Sequence, residues 1–163
     1  MQVIAAYPCL GKTTLGNLNK DIIFDREFNE SRSTLGMTDE QVYKFFMACA
    51  NIICLQMNAD YHKVLFITED ERLLTELDKR GIRPILVFPD VFSNSYMEKY
   101  KKSVVERSGI DWWNRVLEPE MPILAGRILQ YMQDGYDVRL TDARHPYIQD
   151  VVELPENIIT PDY

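Results

Sequence analysis

Histidine and cysteine are scarce in this chain. Only His62 and His145 occur, too few for a His-rich metal site. The cysteines, Cys9, Cys49 and Cys54, are odd in number and fit no zinc spacing. They read as reduced thiols of a cytoplasmic protein, not as a disulfide framework. The opening MQVIAAYPCLGK lacks the charged start and long apolar stretch of a secretory signal. No run approaches the ~18 apolar residues of a membrane span, so no membrane partner is expected. Positive charge is also in deficit, with 18 Lys and Arg against 25 Asp and Glu, for a net charge of −7. An acidic surface repels a phosphate backbone, so no nucleic-acid partner is expected either. The chain has no internal repeat, low-complexity tract or linker, and its 163 residues suit a single domain spanning 1–163. The oligomeric state is not legible.

Hydrophobic residues make up 46% of the sequence, enough for a core. Short apolar runs at Gln2–Ala6, Asp21–Asp25, Lys63–Ile67 and Pro84–Phe88 read as buried strands, and Tyr147–Leu154 reads as a fifth. Helices are expected between them. Lys12–Asn19 is the first. Thr38 opens the second with a capping box to Gln41, followed by Val42, Phe45, Phe46, Cys49, Ile52 and Ile53 at helical spacing. Thr68 and Glu71 suggest another capping box, and Gly81 sits where a C-terminal cap belongs. Ser93–Ser108, Asp111–Leu117 and Pro122–Asp134 complete the helices. Alternating strands and helices imply an α/β three-layer sandwich around a mostly parallel five-stranded sheet.

The segment Ala6-Tyr7-Pro8-Cys9-Leu10-Gly11-Lys12-Thr13 matches the phosphate-loop pattern G-x-x-x-x-G-K-[ST] in all but its first glycine. It lies after an apolar strand and before a helix, as the motif requires. Loop and helix-start N–H groups, from Ala6 through Thr14, can point at phosphate oxygens, helped by the positive end of the helix dipole. Gly11 permits close approach. Lys12 reaches the β- and γ-phosphates, and the Thr13 hydroxyl is placed for Mg²⁺. Ala6 in place of glycine could restrict the turn, and Pro8 removes one donor.

With this loop the chain resembles small P-loop nucleotide kinase-like proteins of bacteriophages and Firmicutes-type bacteria, relatives of nucleoside and nucleotide monophosphate kinases. Three stretches carry the likeness: YPCLGKTTL at Tyr7–Leu15, KVLFITEDERLLTELDKRGIRPILVFPD at Lys63–Asp90, and YMEKYKKSVVERSG at Tyr96–Gly109. The resemblance implies a P-loop NTPase fold, ATP and Mg²⁺ as cofactors, phosphoryl transfer to a nucleoside or nucleotide, and a basic helical lid around 93–109. P-loop proteins often place an acid after the strand beside the loop. Here KVLFI is followed by Thr68, Glu69 and Asp70, whereas DIIFD ends in Asp25, so the acid that supports magnesium stays open. No N-K-x-D motif is present, which argues against a GTPase.

Ligands of open α/β sheets bind at the carboxyl ends of the strands. Asp25, Arg26 and Glu27 follow the second strand. Asp25 is the candidate to orient or deprotonate the acceptor, Arg26 to grip a substrate phosphate, and Glu27 and Arg32 to add contacts. Lys99, Lys101, Lys102 and Arg107 lie on the lid segment, with Arg107 the candidate catalytic cation beside Lys12 and Asp25. Tyr96, Tyr100, Trp112 and Trp113 suit a core or a base-stacking surface. Three functions fit: a kinase of a nucleoside, nucleotide or related small hydroxyl acceptor; a kinase of a modified nucleobase in DNA; and a non-catalytic nucleotide-binding regulator.

Overall fold

A computed structural model describes residues 1–26, 34–58 and 61–162. Five strands form one sheet in which every neighbouring pair is parallel. They are β1 (Gln2–Ala6), β2 (Ile23–Arg26), β3 (Val64–Thr68), β4 (Ile85–Pro89) and β5 (Val138–Thr141), in spatial order β2-β3-β1-β4-β5. The central three strands are buried: Ile4 to Ala6, Val64 to Ile67 and Leu86 to Phe88 are each fully inaccessible. Burial on both faces requires nearly unbroken apolar strands, which these are.

The helices are α1 (Lys12–Leu18), α2 (Asp39–Asn58), α3 (Glu71–Asp78), α4 (Asn94–Ser108), α5 (Ile110–Trp112), α6 (Met121–Gln133) and α7 (Ile148–Val151). A π-turn at Trp113–Leu117 and a 3₁₀ turn at Glu118–Glu120 join α5 to α6. The chain runs from β1 through α1 to the β2 edge, then back through α2 and α3. Right-handed crossovers therefore put α1 on one face and α2 and α3 on the other, compatible with a three-layer sandwich. Among the described residues no helix is long and apolar enough to cross a membrane.

Local chemistry explains the boundaries. The Thr38–Gln41 box closes as read: Thr38 N donates to Gln41 Oε1 at 2.9 Å, and Gln41 N donates to Thr38 Oγ1 at 3.2 Å. The expected Thr68–Glu71 box is replaced. Thr68 is the last residue of β3, and Asp70 caps α3 by accepting from Arg72 N and Leu73 N. A carboxylate at that position satisfies two orphan donors and favours the dipole. Leu73, Leu74 and Leu77 of α3 are buried to within 1% of full, each contributing roughly 2 kcal/mol by burial.

The last strand lies elsewhere than expected. Residues 147–154 are not a strand; they hold α7, capped by Tyr147 with Asp150. Ile148, Val151 and Val152 are spaced at i, i+3 and i+4, a helical rather than a strand period. The fifth strand is Val138–Thr141, just past the Gly135 turn at φ +84°. Asp111–Leu117 is only partly α-helical, since Trp113–Leu117 is the π-turn.

Candidate nucleotide-binding site

The turn after β1 stands over the middle of the sheet, where the chain changes direction between β1 and β4 and where open α/β folds form a crevice. Ala6 is still a strand residue, paired with Thr68 on one side and Val87 on the other, and fully buried. Its methyl group fills core and does not restrict the turn, which begins at Tyr7. Left-handed backbone is used at Cys9, φ +64°, and at Gly11, φ +98°. A side chain at Gly11 would also stand 3.5 Å from the Tyr147 ring. That is an ordinary contact, so the glycine serves the backbone conformation and not a close approach.

Four hydrogen bonds fix the loop. Tyr7 N donates to Val87 O at 2.9 Å, and Ile148 N donates to Leu10 O at 3.0 Å. Tyr100 Oη, on α4, donates to Pro8 O at 2.7 Å. Lys12 Nζ folds back across the loop and donates to Ala6 O at 2.9 Å, leaving the residue 7% exposed. Helix α1 starts at Lys12 with no side-chain cap and no acid in its first turn. Its first-turn N–H groups have no intrahelical acceptor, so the loop and helix start present donors and a positive dipole end together. Thr13 is half-buried in that turn and Thr14 is exposed.

Arg107 sits in the last turn of α4, near the Cys9 thiol. Burial pushes the thiol pKa up, and Arg107 and Lys12 pull it down. Arg107 and Lys12 thus flank the loop with two cations. Helix α4 is seated through Tyr96, Tyr100 and Val104, all buried. Lys99 and Lys102 are exposed, while Lys101 lies 5.5 Å from the centre of the Trp113 ring. Tyr96, Tyr100 and Trp113 fill core, and Trp112 is half-buried.

Asp25 stands at the end of edge strand β2, opposite Phe66 of β3. Its Cβ packs against Gly16 of α1, where an added methyl would approach to 3.0 Å. Arg26 lies with its guanidinium 6.0 Å from the Phe24 ring centre. Glu27 and Arg32 fall outside the described residues.

A buried polar chain adjoins the loop, and the sequence reading found only part of it. Tyr7 Oη donates to Glu120 Oε2. Arg127 Nη1 is 3.9 Å from Glu120 Oε1, and Arg127 Nη2 is 2.9 Å from Glu69 Oε2. Tyr131 Oη donates to Glu69 Oε1 at 2.7 Å. Glu69 follows β3, the strand next to β1, and its side chain is 2% exposed. Burial pushes its carboxyl up to about 7, against the opposing pull of Arg127 and the Tyr131 hydrogen bond. Burial and Glu120 together raise the Tyr7 phenol well above the ordinary range, so it stays a donor. Arg127 Nε is buried and has no hydrogen-bond partner among the described residues. One sequence signal was available: Arg127 is the only charge in MPILAGRILQYMQ, and a lone charge in an apolar helix needs a buried partner.

Among the described residues no group of three or more His, Cys, Asp or Glu forms a metal cluster. A cavity of about 510 Å³ lies away from the loop, between α3 and α6, and includes Glu71, Asp78, Tyr131 and Asp134 in its lining.

No family model matches the chain, and no curated protein matches it. The comparison with solved structures gives a crystal structure of a protein called APE1195, 16% identical, covering 85% of this chain and 84% of that one, with a TM-score of 0.40.

Proposed function

We propose that this protein is a P-loop phosphotransferase that moves the γ-phosphoryl of ATP, with Mg²⁺, onto a nucleoside, nucleotide or related small hydroxyl acceptor. The observation that carries this reading is the juxtaposition at the end of β1. An uncapped helix N-terminus, a glycine at φ +98° and a lysine folded over the loop surround one point at the carboxyl edge of the sheet. A polyphosphate anion is the ligand class that such donors suit best. The strand order and the sequence resemblance point the same way.

In the proposed reaction the acceptor oxygen attacks the γ-phosphorus. The bond from that phosphorus to the β–γ bridging oxygen breaks, and ADP leaves with the bonding pair. The acceptor proton passes to a carboxylate. Lys12 exchanges its bond to Ala6 O for the phosphates and, with Arg107, offsets charge on the transferring oxygens. Asp25 is the proposed acceptor-side carboxylate. Glu69 is the acid best placed to support the metal, because β3 neighbours β1, whereas β2 lies at the edge of the sheet. Magnesium, when bound with the nucleotide, would neutralise phosphate charge, held by the Thr13 hydroxyl with water and one acid.

A second reading, a nucleotide binder without turnover, is favoured by Pro8, which removes a loop donor, and by the engagement of Glu69 with both Arg127 and Tyr131. The test is incubation with Mg-ATP and a pool of nucleosides and nucleotides, followed by mass spectrometry. A phosphorylated product supports the kinase. Nucleotide binding with no product from any acceptor selects the binder, and no binding at all removes both readings.

A further inference from the structure

Helix α1, which follows Gly11 and carries Lys12, is weakly specified by its own sequence. It has seven residues, KTTLGNL. An isolated helix that short is unstable in water. Two threonines and Gly16 lower its propensity further. No side chain caps its start, its first turn holds no acid and its last turn no base. Its geometry is therefore set by what packs on it.

The segment after β5 holds α1 at both ends. At the start, Ile148 N donates to Leu10 O at 3.0 Å. At the end stands Asn19, only 5% exposed. Asn19 Nδ2 donates to Leu15 O at 2.9 Å and to Ile159 O at 2.8 Å, and Asn19 Oδ1 accepts from Ile159 N at 2.7 Å. Both amide hydrogens and the amide oxygen are thus used, a set that neither aspartate nor leucine supplies. The Asn19 carbonyl also accepts from Ile22 N and Ile23 N, at 2.9 and 2.8 Å, where β2 begins. Between the two ends the segment is firmly seated. Ile148 and Val152 are buried, Leu154 and Ile158 pack against the core, and Gln2 Nε2 donates to Glu153 O at 3.1 Å.

We infer, resting on the phosphate-loop reading above, that Asn19 is a positioning residue of the nucleotide site, acting through residues 147–162 as a strap that holds α1 at both ends. Asn19 touches no reacting atom; it lies seven residues beyond Lys12, roughly 10 Å along the helix. Seating of the strap at Ile159 and occupation of the loop by a polyphosphate both favour the same ordered α1. Two events that favour one state of a shared element strengthen each other, and by the same factor in either direction. An asparagine that only stabilised the fold would change the thermal midpoint and leave the affinity of the folded protein as it was.

Amide hydrogen exchange on the full wild-type chain, with and without saturating Mg-ATP, tests the linkage without any substitution. Exchange at Ile159 N is expected to slow about 10-fold on binding, although that amide sits at the far end of α1 from the loop. Exchange at Gly81 N, in the turn after α3, is expected to stay unchanged. Titration calorimetry with Mg-ATP supplies the reverse direction. Ile159→Pro removes the N–H that Asn19 accepts, at a position 60% exposed. This variant is expected to keep a thermal midpoint close to the wild-type value and to bind Mg-ATP about 10-fold more weakly. Asn19→Leu is expected to weaken binding at least as much. Wild-type binding with no slowing at Ile159, or equal affinity in Ile159→Pro and the wild type, overturns the strap and leaves the phosphate loop standing. No binding by the wild type overturns the phosphate-loop reading and the strap with it.

Discussion

Arg127 and Glu69 meet at 2.9 Å with both side chains mostly out of water, the carboxylate 2% and the guanidinium 13% exposed. The pair joins α6 to the end of β3 beside the loop that follows β1. Burial keeps the Glu69 carboxyl near 7 even with the guanidinium present, so the folded state holds its proton more tightly than the unfolded chain, whose value is 4.5.

The sign of the pH dependence follows. Between about 4.5 and 7 the folded form keeps the proton and the unfolded form releases it, so stability from this group falls as pH rises. It is fully present below 4.5 and lost above about 7, at roughly 1.4 kcal/mol per pH unit. Glu69→Gln removes this titration. Thermal unfolding is expected to show the wild type losing stability relative to Glu69→Gln between pH 5 and 7. A constant difference across that range would mean that Glu69 titrates normally.

Gly16 controls where Asp25 can stand. In Gly16→Ala the new methyl comes to 3.0 Å from the Asp25 Cβ, and the aspartate must give way. Helix propensity favours the alanine by about 1 kcal/mol, so the expected net change in stability is small. The expected change in function is larger: turnover of the acceptor falls about 10-fold or more, as in Asp25→Asn, while ATP affinity holds. Steady-state kinetics with each substrate varied separates the two effects. An unchanged kcat in both variants would move the acceptor-side acid elsewhere.

Gly11→Ala tests the loop backbone. The space at Gly11 admits a methyl, at 3.5 Å from Tyr147, but φ +98° does not suit an L-residue. A destabilisation of roughly 1–2 kcal/mol is expected, together with weaker nucleotide binding. Chemical denaturation and calorimetry report the two. A variant as stable as the wild type would mean that the loop adopts another conformation.

The fold was legible where apolar runs are continuous. QVIAA, KVLFI and PILVF leave no alternative to buried strands, and three of the five strands were read to within one residue. The fifth was misplaced because VRLT is short and half-exposed, whereas YIQDVVEL is twice as long and includes Ile148, Val151 and Val152. Its i, i+3, i+4 spacing was the better guide. In the candidate site, the left-handed backbone at Gly11 suits the glycine of the local loop pattern, and Lys12 opens α1 as that pattern requires. Glu120, Arg127 and Tyr131 were not legible, because their roles depend on contacts with Tyr7 and Glu69, up to 113 positions away in the chain. Local periodicity carries no information about such pairs.

Everything proposed for the reaction depends on Lys12 and the α1 N-terminus receiving a polyphosphate. Isothermal titration of Mg-ATP into the wild-type protein and into Lys12→Ala examines this directly. The variant loses the bond to Ala6 O, which costs about 1 kcal/mol of stability and leaves the fold intact. Saturable binding at one site is expected for the wild type, with affinity about 10- to 100-fold weaker in Lys12→Ala. Absence of binding by the wild type, or equal affinity in the two proteins, would contradict the phosphate-loop reading.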